Sequence, residues 1–221
     1  MTETGDPRII DTLQPLITSR RLGRIESVLD HRTYNLTMVL DGLYDTGNIS
    51  AVLRSCDSFG VQRVNLVMTS ARYKVGRRVS TGAHKWLDIH RYDDPVTCAK
   101  ELKTAGYTLL ATHLDGAVPI DEIDFSKPTA LVLGNEHAGV CPEMLEMCDA
   151  SVIIPMRGFA QSFNVSVAAA ISMYHAVQDR AARLGQSGDL TDDQRQRLRE
   201  RFYRRSVRRS DVLLQEAGLA D

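Results

Sequence analysis

Absences bound this chain before any motif does. No run of about 18 apolar residues occurs, which disfavours a membrane-spanning helix. The opening residues, "MTETGDPRII", lack a basic start followed by an apolar stretch, so no secretory signal is expected. The four cysteines, at 56, 98, 141 and 148, show no C-x-x-C spacing and sit in apolar, patterned segments. They read as reduced core thiols of a cytoplasmic protein. The six histidines are scattered, and no metal site is expected. Also missing are G-x-G-x-x-G after the first strand, the phosphate loop G-x-x-x-x-G-K-[ST] and the G-x-S-x-G nucleophile elbow. An ordinary nucleotide-binding Rossmann domain and an elbow-type serine hydrolase are thereby disfavoured.

Net charge is nearly absent too, at −1 over 221 residues, but the balance is uneven. Residues 194–210, "QRQRLRERFYRRSVRRS", hold eight arginines and one glutamate, net +7, so the remainder carries −8. Residues 71–91 hold Arg72, Lys74, Arg77, Arg78, Lys85 and Arg91 against Asp88, net +5. A charge run is most often a solvated helix face. Arginine without lysine in residues 194–210 tilts the reading towards a polyanion, because the planar guanidinium suits forked contacts to phosphate.

From residue 36 the chain alternates between strand and helix patterns. "LTMVL" (36–40), "RVNLV" (63–67), "WLDIHRY" (86–92), "YTLLAT" (107–112), "TALVLG" (129–134) and "SVIIPM" (151–156) read as strands. Helices are expected at 48–59, about 95–105, about 142–148 and from Asn164 to about Leu184. This alternation implies an α/β domain with a mainly parallel sheet and helices on both faces, over 36–184. Residues 1–35 read as a short helical extension interrupted by Pro7 and Pro15. Residues 185–221 read as a basic helical extension, with Thr191 and Gln194 as a capping box and one last helix over about 192–216. The helix from Asn164 is apolar almost all round for three turns, so either it is buried deep in the domain or one face meets another subunit.

Ligand sites in open parallel sheets lie beyond the carboxyl ends of strands. Three such ends carry glycine and polar residues: "LLATHLDG" (109–116), "VLGNEHAGV" (132–140) and "IPMRGFAQSFN" (154–164). One such loop reads as an ordinary turn; three suggest a pocket. "NISAVLRSCDSFG" (48–60) places Arg54 well off the apolar stripe of Ile49, Val52, Leu53, Cys56 and Phe59, at ~100° per residue. From the helix alone Arg54 is a surface arginine beside Asp57, and Asn48 and Asn164 are helix caps.

Three segments, "NISAVLRSCDSFG", "LVLGNEHAGV" and "IPMRGFAQSFNVSVAAAISMY", resemble motifs one, two and three of the SpoU-type RNA ribose 2′-O-methyltransferases, in order and spacing. The resemblance covers roughly residues 36–180 and is strongest to the branch acting on guanosine 18 of tRNA. It implies the SPOUT fold, with a deep trefoil knot in the C-terminal part of the domain, S-adenosylmethionine as cofactor, tRNA as partner and a homodimer. By motif position it implies catalytic roles for Asn48, Arg54, Glu136, Ser162 and Asn164. Cofactor contacts fall at Thr112, Gly134, Ile154 and Phe163, mostly through backbone. RNA capture falls to Lys85, Arg204, Arg205, Arg208 and Arg209, the last four expected as a ladder on one helix face; Trp86 and Tyr73 are the stacking candidates. Two residues depart from the pattern: Phe163 stands where leucine is usual, and Gly47 where this branch often has histidine. The alternatives are methylation of ribosomal RNA or another tRNA position, and an RNA-binding homologue without catalysis.

Overall fold

The computed structural model describes residues 5–68 and 82–219, and these form two compact units. One is continuous, Thr33–Ser187. The other joins the two ends of the chain, Met1–Arg32 and Gly188–Asp221.

The continuous unit is a seven-stranded sheet: β1 (Thr33–Asp41), β2 (Val61–Val67), β3 (Asp88–Tyr92), β4 (Thr108–Thr112), β5 (Val118–Pro119), β6 (Thr129–Leu133) and β7 (Ala150–Ile153). The order is β3-β2-β1-β6-β4-β7-β5, and every pairing is parallel. β6 enters between β1 and β4, and β7 between β4 and β5. The later strands therefore occupy lanes left between earlier ones.

In the α/β unit the period of two along the strands sorts the core into two faces. Leu36, Met38, Leu40, Leu110, Leu131 and Leu133 point to one, which α3 (Thr46–Ser58) and α6 (Val165–Leu184) cover with Ile49, Val52, Leu53, Cys56, Ala169 and Met173. Val39, Leu109, Ala111, Ala130 and Val132 point to the other, covered by α4 (Pro95–Thr104) and α5 (Pro142–Met147) through Cys98, Leu102 and Met144. Gly60 and Gly106 follow the ends of α3 and α4 with φ of 78° and 87°, a left-handed turn that glycine adopts without a Cβ clash. Asp94 caps α4 and accepts from Thr97 N at 2.6 Å, with Pro95 at the first helical position. Arg180, buried on α6, donates to the carbonyls of Phe125 and Lys127 and so ties the helix to the segment leading into β6.

The terminal unit packs α1 (Pro7–Leu13), α2 (Ser19–Leu29) and α8 (Ser210–Glu216) around α7 (Asp192–Ser206), burying Ile9, Leu13, Ile25, Leu29, Leu198, Phe202 and Leu214. Pro7 starts α1 rather than interrupting a helix, as its fixed φ and missing N–H permit. The Thr191–Gln194 capping box is present.

A further expectation is corrected. The last helix is not continuous: α7 stops at Ser206, Val207 is extended, and Arg209 caps α8 with φ of 59°. An unbroken helix would have stacked Arg204 on Arg208 and Arg205 on Arg209, like charges four apart. The break also lets Ser210 and Leu214 turn inward. Of the two readings of α6, deep burial on all sides does not hold within the chain: Val167 is 44% and Tyr174 57% exposed.

Candidate active site

The carboxyl ends of β1, β6, β4 and β7 lie side by side, and the loops leaving them carry the polar residues singled out by the sequence. The tightest is Gly134–Val140. Asn135 and Gly139 exchange backbone hydrogen bonds at 2.8 Å each, and Asn135 Oδ1 accepts from His137 N at 2.9 Å and Ala138 N at 3.1 Å. Two further bonds fasten this turn to the end of β1: Asn135 Nδ2 donates to the Gly42 carbonyl at 3.0 Å, and Cys141 N to the buried Asp41 carboxylate at 2.7 Å. Gly134 packs so closely on the returning backbone that a Cβ there would lie 2.0 Å from Gly139 C and Val140 N.

Glu136 projects from this turn into a directional chain of hydrogen bonds. Asn164 Nδ2 donates to Asn48 Oδ1 at 3.2 Å, and Asn48 Nδ2 donates to Glu136 Oε1 at 2.7 Å. Asn135 Nδ2 reaches Glu136 Oε2 at 3.4 Å. Asn164 Oδ1 in turn accepts from Ser166 N and Oγ, at 2.9 and 2.6 Å, as the cap of α6. Residues far apart in sequence thus form one array: Asn48 on α3, Glu136 after β6 and Asn164 before α6. Each carboxamide donates through a single N–H in this array, which leaves a second N–H on each for an oxygen ligand.

The remaining sequence candidates fall out unevenly. Asn48 is not the cap of α3; Asp45 is, accepting from Asn48 N at 2.9 Å, and the helix begins at Thr46. Asn48 is instead the third residue of the helix, which frees its side chain for Glu136. Arg54 is exposed on α3, and among the described residues its guanidinium has no hydrogen bond or ion pair, with Asp57 or any other. Ser162 is exposed two residues before Asn164, and its hydroxyl makes no contact within the array. The Thr112 hydroxyl is spent on the Val132 carbonyl at 3.0 Å, so it serves the sheet. Asp45 and Asn135, which the sequence reading passed over, orient Asn48 and Glu136. An aspartate three residues before Asn48 is the signal for the first, since aspartate favours the N-cap.

Thr112, Gly134 and Ile154 stand at the ends of β4, β6 and β7, three neighbouring strands. With Gly134 bare of side chain and Ile154 partly buried against the core, the crevice outside these strand ends offers backbone groups beside an apolar side chain, and Phe163, partly exposed, lies on the loop that leaves β7. That donor set fits an adenosine-bearing cofactor, whose ring needs apolar faces and whose edges hydrogen-bond to main chain. Burial pushes the thiols of Cys141, Cys148 and Cys98 up to about 12, which keeps them protonated and unreactive.

Of the RNA-binding candidates, Lys85, Arg205, Arg208 and Arg209 are exposed. Arg204 is not available in the same way: its Nε donates to Glu200 at 2.8 Å. Arg195 and Arg199 pair with Glu26, and Arg195 also with Asp30, so part of the basic run holds α7 onto α2. Arg72, Tyr73, Lys74, Arg77 and Arg78 lie outside the described residues. Trp86 is half-buried, its carbonyl accepting from Gln62.

A wholly parallel sheet with inserted late strands, and a polar array at its carboxyl edge built from three motif segments, define a class: α/β methyltransferases of the SPOUT type. The chain belongs to the SpoU rRNA Methylase family, matched over residues 35–174. It is 38% identical over 170 residues to a tRNA (guanosine(18)-2′-O)-methyltransferase of Aquifex aeolicus, covering 76% of this chain and 81% of that one. It also resembles the solved A. aeolicus TrmH/SpoU tRNA modifying enzyme, with a TM-score of 0.76, 34% identity, and coverage of 86% of this chain and 98% of that one. The SpoU methyltransferase AviRb of Streptomyces viridochromogenes, solved in complex with the cofactor AdoMet, aligns at TM-score 0.61 and 30% identity, over 68% of this chain and 62% of that one. Among the described residues no helix is long and apolar enough to cross a membrane.

Proposed function

We propose that this protein methylates a ribose 2′-hydroxyl of tRNA, at guanosine 18, using S-adenosylmethionine in the cytoplasm. The observation that carries the reading is the array from Asn164 through Asn48 to Glu136 beside the Gly134 crevice. The relatives matched over most of their length point the same way by name.

The physical requirements are modest. A ribose hydroxyl is a weak nucleophile because its proton is held far above neutral pH. When bound, the cofactor supplies a methyl group already activated by sulfonium charge. What the chain must add is in-line placement and an exit for one proton. Asn48 and Asn164 present their second N–H groups to the sugar, held in orientation by Glu136. Arginine is protonated at any working pH, so Arg54 acts as a cation and not as a base. It grips the phosphate beside the target ribose and stabilises negative charge developing on the oxygen, and the proton passes to that phosphate or to water. Gly134, Ile154, Phe163 and the Thr112 backbone hold the cofactor. Ser162, exposed beside Asn164, completes the sugar side. Lys85, Arg205, Arg208 and Arg209 bind RNA phosphates, which gives salt-sensitive affinity and little sequence information.

The exposed apolar side of α6, with Val167 and Tyr174, forms the contact of a homodimer. Incubation with labelled S-adenosylmethionine and unmodified tRNA transcripts, followed by nuclease mapping, tests the whole reading. Ribose methylation at guanosine 18 is the expected result. Methyl on a base, or none, overturns the chemistry; ribose methyl at another nucleotide overturns the position alone.

A further inference from the structure

Among the described residues, four exposed large hydrophobic side chains rim the carboxyl edge of the sheet: Tyr44 after β1, Leu114 after β4, and Phe159 and Phe163 after β7. Phe159 is the extreme. At 109% relative exposure its ring is as bare as in an extended peptide, whereas Phe163 is 39% exposed. The loop that carries it runs from the end of β7 to Asn164, which hydrogen-bonds to Asn48. The ring therefore rises from the same loop as one end of the proposed sugar-binding array. Arg157, two residues before, is exposed as well, and a Cβ at Gly158 would meet nothing within 4 Å, so the approach to the ring is open.

A phenyl ring left wholly in water forgoes the burial that aromatic residues normally gain. A single exposed ring is ordinary on a protein surface; what singles out Phe159 is its place on the loop that ends at Asn164. The homodimer contact proposed above lies on α6 at Val167 and Tyr174; a stable interface needs some 800 Å² per partner, and the residues beside Phe159 in sequence do not extend that apolar face. The neighbours here, Arg157, Gly158, Ala160, Gln161 and Ser162, are exposed and small or polar. One flat apolar ring in a polar loop matches the size of one nucleobase. The reaction also demands such a place: a sugar held by Asn48 and Asn164 drags its base with it, and that base has left its stack.

We propose that Phe159 is the platform on which the base of the target nucleotide stacks, a positioning role that rests on the RNA-methylating function above. Stacking on an aromatic face tolerates any base. Phe159 thus contributes hold and alignment, while recognition of guanosine falls elsewhere.

The test compares Phe159→Ala, Phe159→Leu and Phe159→Trp with the wild-type protein. It reads tRNA kinetics, S-adenosylmethionine affinity by calorimetry and mass by light scattering. Phe159→Ala is expected to lower kcat/KM for tRNA by about 5- to 150-fold, with cofactor affinity and oligomeric state unmoved. Phe159→Leu falls between, because it keeps apolar area without a π-face. Phe159→Trp retains activity, and its added emission, read against the Trp86 background, is quenched by tRNA and not by the cofactor. Unchanged tRNA kinetics in Phe159→Ala, or emission indifferent to tRNA, overturns the proposal. So does lost cofactor affinity, which would assign the ring to the adenosine crevice, or a lost dimer, which would assign it to an interface. If the wild-type protein methylates no ribose, the function fails first, and the quenching arm still decides whether the ring meets RNA.

Discussion

Arg54 stands on α3 beside small residues, exposed and without an ion pair among the described residues. A side chain kept unpaired is available to a phosphate. Lysine carries the same charge but not the forked, planar donor set. Arg54→Lys is therefore expected to keep much of the tRNA affinity, read by filter binding, and to lose most turnover; wild-type turnover would refute the role given to it. Gly134 makes a different kind of demand. A methyl group at that position would sit 2.0 Å from the backbone of Gly139 and Val140, so the turn carrying Glu136 must move. Gly134→Ala is expected to cost about 1–3 kcal/mol of stability, seen as a lowered melting temperature, and to weaken cofactor binding measured by calorimetry. The sequence displays the motif residues that bear these tasks, because chemistry restricts which side chains can act. Two of their supports were harder to see: the cap role fell to Asn48 in the sequence and belongs to Asp45 in the structure, and Asn135 works through a loop closure to Gly42 that no local pattern reveals.

Among the elements, α7 shows how a charge run divides its labour. Arg199 sets both Nε and an Nη against Glu26 at 2.7 Å, and Arg195 bridges Glu26 and Asp30. These hydrogen bonds, led by Arg199, hold the Glu26 carboxyl below its ordinary value of 4.5. A carboxylate with a depressed folded pKa adds stability above its unfolded value, and that stability is lost as pH falls through the folded one. Glu26→Gln should therefore be less stable than wild type near neutrality, and the difference should close as the pH is taken from about 6 to about 3. Thermal unfolding followed by circular dichroism across that range checks it; a gap independent of pH would show the ion pairs to be idle. Periodicity announced α6 and the Thr191 capping box announced α7. The interruption at Arg209 was not legible, since nothing in the run is a helix breaker. It comes from the repulsion a continuous helix would create and from the burial of Ser210 and Leu214, which is tertiary. β5, two residues long, is too short for any period to register.

For the whole molecule, the strand composition foretold a parallel sheet, but the order of its strands is a non-local fact, and only likeness to a known family supplied an expectation of threading. The proposed homodimer rests on the exposed apolar side of α6. Replacing Val167 and Tyr174 by glutamate, Val167→Glu with Tyr174→Glu, should shift the sedimentation equilibrium of the protein towards monomer and reduce methylation with it. A protein already monomeric and fully active would remove the dimer from the account. The insertion of β6 and β7 has one more consequence, for the newborn chain. β1 and β4 end as neighbours of the same later strand, so during synthesis they must refrain from zipping together while their shared lane stands vacant. Until residue 164 has left the ribosome, Asn48 and Glu136 have no third companion. Any delay there leaves two bare strand edges side by side, open to wrong pairing until the later strand arrives.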